Sequence, residues 1–146
     1  MITLVIFSGL PGAGKSILAT RLARTLQFPI IRLDDVAGDV PRGAGTDYWD
    51  AVVSATLDLA EAQLELGLSV IIDAVFMAYD RHHAQRLAEK YCAAFRPVYT
   101  FVSDEALWEK RVNERAVALK NGGAATWNDV LQQRKVAFSL GIPLPQ

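Results

Sequence analysis

The chain has 146 residues, of which 51% are hydrophobic and 21% are charged, with a formal net charge of −1. This size is typical of a single domain, and so high an apolar content excludes an intrinsically disordered protein. No apolar run reaches the ~18 residues of a transmembrane helix, so we expect no membrane partner. Cysteine occurs once, which rules out an internal disulfide and favours a cytoplasmic location.

Strands and helices are predicted to alternate along the chain. Short apolar segments rich in β-branched residues predict buried strands at residues 2–7, 30–33, 69–73 and 97–102. Helical spacing and capping residues predict helices at 16–26, 47–66, 79–91, 103–119 and from 126 to about 141. Residues 36–46 contain three glycines and a proline and are predicted to form a mobile loop. This alternation predicts an α/β fold, a three-layer parallel sheet of four or five strands.

The segment of residues 9–16 reads Gly-Leu-Pro-Gly-Ala-Gly-Lys-Ser and matches the phosphate-binding pattern G-x-x-x-x-G-K-[ST] at every fixed position. It stands between a predicted strand and a predicted helix, where backbone N–H groups can cradle an anion at the positive end of the helix dipole. Lys15 can reach the β- and γ-phosphates of ATP, and the hydroxyl of Ser16 can bind Mg²⁺. We therefore predict ATP and Mg²⁺ as cofactors. The predicted nucleotide-binding residues are Gly9, Pro11, Gly12, Ala13, Gly14, Lys15 and Ser16.

Three carboxylates, Asp34, Asp35 and Asp73, follow predicted strands and are expected at the carboxyl edge of the sheet, where α/β proteins bind ligands. Asp73 is predicted to contact magnesium through water or to orient a phosphoryl acceptor. Asp34 or Asp35 could accept the proton of an attacking hydroxyl, and the spacing does not say which. In the alternative interpretation, all three are ordinary strand-end and turn residues.

Arg111 and Arg115 lie four residues apart and therefore share one face of a predicted helix. A glycine-containing segment follows, so the pair could belong to a lid that closes over a transferring phosphate. The alternative is a solvated face on which these arginines pair with Glu109 and Glu114.

The sequence resembles the small P-loop kinases that include the kinase domain of phage polynucleotide kinase, zeta toxins and gluconate kinase. The resemblance covers nearly the whole chain and rests on residues 9–16, the Asp34-Asp35 pair, the strand end at Asp73 and residues 110–115. It implies an adenylate-kinase-like P-loop NTPase fold, with residues 1–146 as one kinase domain and a lid around residues 111–126.

The resemblance also implies catalytic roles for four residues. Lys15 would stabilise the phosphates, and Asp34, which corresponds to the first aspartate of the family's Asp-Asp pair, would be the general base. Arg111 and Arg115 would contact phosphates from the lid. Asp73 would support the acceptor site.

One departure from the family concerns the phosphoryl acceptor. The family has a phosphate-binding arginine three residues after the base, where this chain has Ala37, so we expect Ala37→Arg to improve the use of a phosphate-bearing acceptor. Residues 34–65 carry eight acidic residues against one basic residue, which opposes a polyanion. We therefore predict a small neutral or cationic hydroxyl compound as the acceptor. The alternatives are a 5′-hydroxyl polynucleotide or nucleotide kinase and a non-enzymatic nucleotide-dependent regulatory module.

Overall fold

The computed structural model describes residues 1–43, 47–75, 78–119 and 124–139. The elements in chain order are β1 (Thr3–Gly9), α1 (Lys15–Leu26), β2 (Ile30–Arg32), α2 (Leu33–Asp39), α3 (Tyr48–Glu65), β3 (Val70–Asp73), α4 (Ala78–Lys90), β4 (Ala94–Thr100), α5 (Glu105–Ala118) and α6 (Trp127–Ser139).

The four strands form one parallel sheet in the order β2-β3-β1-β4. The α/β prediction is therefore confirmed, with four strands. Because β1 and β3 are the two central strands, the loop that follows β1 and the residue that ends β3 lie side by side at the carboxyl edge. Among the described residues, no helix is both long enough and apolar enough to cross a membrane.

Both faces of the sheet are covered, which explains why β1 is apolar at consecutive positions. Leu4 and Ile6 join a core with α2, α3 and α4, whereas Val5 and Phe7 pack against α1 on the opposite face. A residue of β1 can thus be assigned to a face by its position, since successive side chains alternate.

Two predicted elements differ from the structure. Residues 33–39 form helix α2, so the loop prediction for 36–46 is wrong at its start, and residues 44–46 lie outside the described part. The helix forms because Leu33 and Val36 are buried against the core, while Asp34 and Asp35 stand in its first turn, where acidic groups favour a helix.

The fourth strand begins three residues earlier than predicted, at Ala94, because it pairs with β1 from Thr3 onward. Pro97 lies inside this strand. A proline is tolerated there because β4 is at the edge of the sheet, where one row of N–H groups needs no partner strand.

Candidate active site

Residues 9–16, called the phosphate loop below, join β1 to α1. Gly12 and Gly14 both have φ of 79°, a left-handed conformation that favours glycine, and Gly14 is the N-cap residue of α1. Gly9 is required for a different reason, because a Cβ atom there would lie 2.3 Å from Oγ1 of Thr100 on the neighbouring strand. The loop therefore has the backbone geometry and helix terminus that suit a bound phosphate.

Lys15 and Asp73 contact each other at the carboxyl edge. Nζ of Lys15 donates a hydrogen bond to Oδ1 of Asp73 at 2.8 Å, and the side chains are 14% and 3% exposed. The pair forms because Lys15 begins α1 and Asp73 ends β3, on the same face of the sheet. A buried carboxylate thus holds the lysine of the phosphate loop in place.

Helix α5 is anchored directly on the phosphate loop. Nε1 of Trp108 donates a hydrogen bond to the carbonyl of Pro11 at 2.8 Å. A Cβ atom at Gly12 would lie 2.7 Å from Cγ2 of Val112, one turn further along the helix. Trp108 and Val112 also form an apolar cluster with Leu10 of the loop. The position of α5 is thereby fixed relative to the phosphate loop.

Arg111 and Arg115 project from the same side of α5 that touches the loop, since residues 108, 111, 112 and 115 share one helical face. Both arginines are exposed. Neither makes an ion pair with any described residue, whereas Lys110 pairs with Glu114 at 3.8 Å. Part of the predicted lid, residues 120–123, lies outside the described residues.

Asp34 and Asp35 lie in the first turn of α2 rather than at the end of a strand, because β2 ends at Arg32. Both side chains are exposed and point in directions about 100° apart around the helix. Asp35 lines a groove of about 650 Å³ along the edge strand β2, together with Asp39 and Asp58. The structure therefore separates the two carboxylates and places much of the acidic charge in this groove.

The structure places Ala37 in the middle of α2. It is half-buried against the core, and its carbonyl accepts a hydrogen bond from the hydroxyl of Tyr48. An arginine at this position would have to displace part of that packing, and the effect of Ala37→Arg on a phosphate-bearing acceptor stays a prediction.

Sequence reasoning missed two residues that shape this site, Arg32 and Trp108. Arg32 is the register partner of Asp73 and donates a hydrogen bond to Oγ1 of Thr20 in α1 at 2.9 Å. It therefore adds a second cation beside Asp73 and links the end of β2 to α1. Its place directly before Leu33 and the acidic pair was visible in the sequence, but no motif marked it.

Known proteins show the same architecture. A family profile described as an AAA domain matches residues 4–137. A chain of the Pnkp1/Rnl/Hen1 RNA repair complex has a TM-score of 0.76 at 20% identity, over 99% of this chain and 46% of that chain. Kti12 of Chaetomium thermophilum, in complex with ADP-AlF3, has a TM-score of 0.64 at 19% identity, over 88% of this chain and 77% of that chain.

A sugar kinase from Janibacter sp. HTCC2649 is similar over its fold as well, with a TM-score of 0.63 at 16% identity, over 100% of this chain and 80% of that chain. No curated protein matches the sequence significantly. At these identities the solved structures show a shared fold, and the chemistry has to be argued from this chain's own residues.

Proposed function

Because this chain belongs to the AAA-domain family of P-loop kinases, we propose that it is an ATP-dependent kinase that transfers the γ-phosphoryl group to a hydroxyl of a small molecule. The observation that carries the proposal is the contact of Lys15 with the buried carboxylate of Asp73 beside the phosphate loop. The arginine-bearing helix α5 is anchored on the same loop. The proposal assigns the stabilisation of phosphate charge to Lys15 of α1 and to the two arginines of α5.

In the proposed reaction, Asp34 accepts the proton of the acceptor hydroxyl, whose oxygen attacks the γ-phosphorus. The bond from that phosphorus to the β–γ bridging oxygen breaks, and ADP leaves. Lys15 binds the β- and γ-phosphate oxygens, and Arg111 and Arg115 stabilise the charge on the transferring group. Asp34 is preferred as the base because Asp35 is directed into the groove along β2.

Magnesium fits the side chains at the loop. The side chain of Ser16 is exposed at the start of α1. The backbone carbonyl of Ser16 accepts a hydrogen bond from the hydroxyl of Thr20. The described residues contain no group of three or more His, Cys, Asp or Glu side chains suited to a metal. Ser16, nucleotide oxygens and water would therefore hold the ion, which is the usual arrangement for Mg²⁺. Bound Mg²⁺ neutralises phosphate charge.

A small acceptor is favoured over a polynucleotide by the distribution of charge. Asp35, Asp39 and Asp58 line the groove on the α2 side, and a polyanion would be repelled there. A polynucleotide site needs several cationic contacts to phosphates. Cytoplasmic location stays a prediction from the single cysteine.

Transfer of labelled phosphate from ATP tests the proposal. A pool of small hydroxyl compounds and a short oligonucleotide with a free 5′-hydroxyl would be compared at low and high salt. We expect labelling of a compound in the pool and little labelling of the oligonucleotide. Efficient, salt-sensitive labelling of the oligonucleotide would contradict the small-molecule assignment and favour the polynucleotide kinase alternative. Absence of both would favour the regulatory module.

A further inference from the structure

Within the described residues, two buried side-chain polar atoms have no hydrogen-bond partner, Oγ of Ser8 and Nε of Arg81. Ser8 is only 6% exposed. Folded proteins pair nearly all such groups, because a buried donor that has lost water and gained no partner is costly. An unpaired buried donor therefore needs a specific explanation. One explanation is a hydrogen bond to an atom of a bound ligand, and the position of these two residues in the fold indicates which ligand.

Both residues belong to the face of the sheet that α4 covers, toward its carboxyl end. Ser8 has the same face as Leu4 and Ile6, which is the face covered by α3 and α4. Tyr99 is its register partner on β4, so its side chain leaves the sheet on that face too. Arg81 stands in the first turn of α4, whose Ala84 and Ala88 pack in the same core as Leu4 and Ile6. In agreement with this placement, the charge of Arg81 lowers the pKa of the Tyr99 phenol, which burial raises. Ser8, Tyr99 and Arg81 are called the Ser8 corner below.

The Ser8 corner is next to the site of phosphoryl transfer. Ser8 directly precedes Gly9, the first residue of the phosphate loop. Arg81 stands in the first turn of α4, the helix that follows β3 and Asp73. Lys15 approaches the same edge from the α1 face, so Arg81 is a cation on the opposite face of the same strand ends.

The chemistry of the corner selects an oxyanion. A guanidinium and a hydroxyl both donate hydrogen bonds, and the guanidinium adds a positive charge, so a phosphate, sulfate or carboxylate group satisfies both. No ion pair joins Arg81 to a carboxylate of any described residue. The positive charge of Arg81 is thus available to a ligand. This matters because the chain has alanine at position 37, where related kinases have a phosphate-binding arginine.

We propose that Arg81 and Ser8 bind an oxyanion at the phosphoryl-transfer site. This inference rests on the proposed kinase function, and it assigns to that site a subsite for an anionic group. The oxyanion has two possible sources, the terminal phosphate of ATP and an anionic group of the acceptor. In the second case the acceptor itself carries a negative charge. The acidic residues of 34–65, taken alone, favour a neutral or cationic acceptor.

Calorimetric titration of the full chain and its Arg81→Gln variant tests the proposal in two arms. The first arm compares the affinities of ADP and a non-hydrolysable ATP analogue, each with Mg²⁺. The second arm titrates sulfate into protein saturated with the analogue. Loss of one charged hydrogen-bond donor should weaken the affected binding by about 10- to 100-fold. Arg86→Gln, an exposed arginine on the same helix, is the matched control.

Each outcome bears on the source of the oxyanion. Weaker binding of the analogue with unchanged ADP binding assigns the corner to the terminal phosphate. Weaker sulfate binding with unchanged analogue binding assigns it to the acceptor. If Arg81→Gln matches Arg86→Gln in both arms, the proposal is overturned and water fills the corner. If the unaltered chain binds no nucleotide, the kinase proposal fails, while sulfate titrations of nucleotide-free protein still compare the variants.

Ser8→Ala gives a second test that does not depend on how well Arg81→Gln folds. Removing an unpaired buried hydroxyl should leave the melting temperature unchanged or raise it. The same substitution should weaken oxyanion binding by about 3- to 10-fold, since one neutral hydrogen bond is lost. A lower melting temperature with unchanged sulfate and analogue binding would mean that Ser8 has a structural partner, against the proposal.

Discussion

The phosphate-loop side and the α2 side of this protein differ in how tightly their residues are held. On the first side, a Cβ atom at Gly9 or Gly12 would collide with neighbouring segments. On the second side, Asp34 and Asp35 are exposed on a helix of 7 residues. The proposed nucleotide site is thus preformed, whereas the proposed acceptor side mainly presents carboxylates to solvent. Substitutions on the first side should change stability and nucleotide affinity together, and those on the second should change mainly turnover.

The largest effect is expected from Asp34→Asn on the α2 side. The substitution is nearly isosteric and removes the proton acceptor, so turnover should fall by about 10²–10⁴-fold. Because Asp34 is exposed and makes no described ion pair, ADP affinity should stay the same. The unfolding free energy should fall by no more than about 0.3–1 kcal/mol, the contribution of a first-turn carboxylate to α2. Steady-state transfer assays, calorimetry and urea unfolding check the three quantities.

Asp35→Asn is the matched control, since Asp35 is the next residue of the same helical turn. Its turnover should fall much less. The reverse order would move the base to Asp35, and a much larger loss of stability in Asp34→Asn than in Asp35→Asn would remove the contrast between the two sides.

Lys15→Ala should reduce transfer by about 10²–10³-fold, because one positive charge at the phosphates is lost. It should also reduce the unfolding free energy by about 1–3 kcal/mol, since Asp73 stays buried without its partner. The double variant Lys15→Ala/Asp73→Asn should regain part of the stability and none of the activity. Undiminished transfer by Lys15→Ala would show that the phosphate loop has been misassigned.

Glycine substitutions separate backbone strain from crowding on the phosphate-loop side. Gly12→Ala combines a left-handed φ with a contact at 2.7 Å to Val112, and should cost about 2–4 kcal/mol. Gly14→Ala has the same φ of 79° and open space, so about 1 kcal/mol is expected. Gly67→Ala, with φ of 76° and open space, is the control away from the site. It should lose similar stability to Gly14→Ala with unchanged ADP affinity.

If Gly12→Ala and Gly14→Ala were equally destabilising, Val112 would not press on the loop. The variant Gly12→Ala/Val112→Ala should then show no recovery, whereas the contact seen here predicts a partial recovery of stability. Urea unfolding followed by tryptophan fluorescence provides the comparison.

The smallest effect is expected from Trp108→Phe. An aromatic ring is kept in the cluster, but the hydrogen bond to the carbonyl of Pro11 is lost, and that bond alone contributes about 1 kcal/mol to stability. ADP affinity should fall a few-fold because the loop is less firmly held. Trp49→Phe on α3 is the control, since Trp49 is 53% exposed and belongs to the α2 side. Equal effects of the two substitutions on ADP affinity would contradict the anchoring of α5 to the loop.

The same contrast explains what could be predicted from the sequence. The phosphate loop could be identified because its pattern is local, and a single segment supplies the glycines, the lysine and the serine. Lys15 and Asp73 could both be expected at the carboxyl edge of the sheet, because each follows or ends a strand of a predicted parallel sheet. Their contact depends on β1 and β3 being neighbours, which the strand order β2-β3-β1-β4 determines.

The remaining features depend on tertiary packing. Residues 36–39 of helix α2 are predicted as part of a loop because this glycine-containing sequence is a weak helix former, and burial of Leu33 and Val36 is what stabilises the helix. The contact of Trp108 with the loop joins residues 97 positions apart. An unpaired donor such as Nε of Arg81 can be recognised only from the three-dimensional structure, which shows which acceptors surround it.

Acceptor-dependent release of ADP tests the central claim most directly. ADP formation would be measured for the unaltered chain and Asp34→Asn, each with and without the pool of small hydroxyl compounds. We predict that the pool raises the rate at least about 10-fold in the unaltered chain and has no such effect in Asp34→Asn. An equal, slow rate in all four reactions would contradict phosphoryl transfer and indicate a nucleotide-dependent regulatory module.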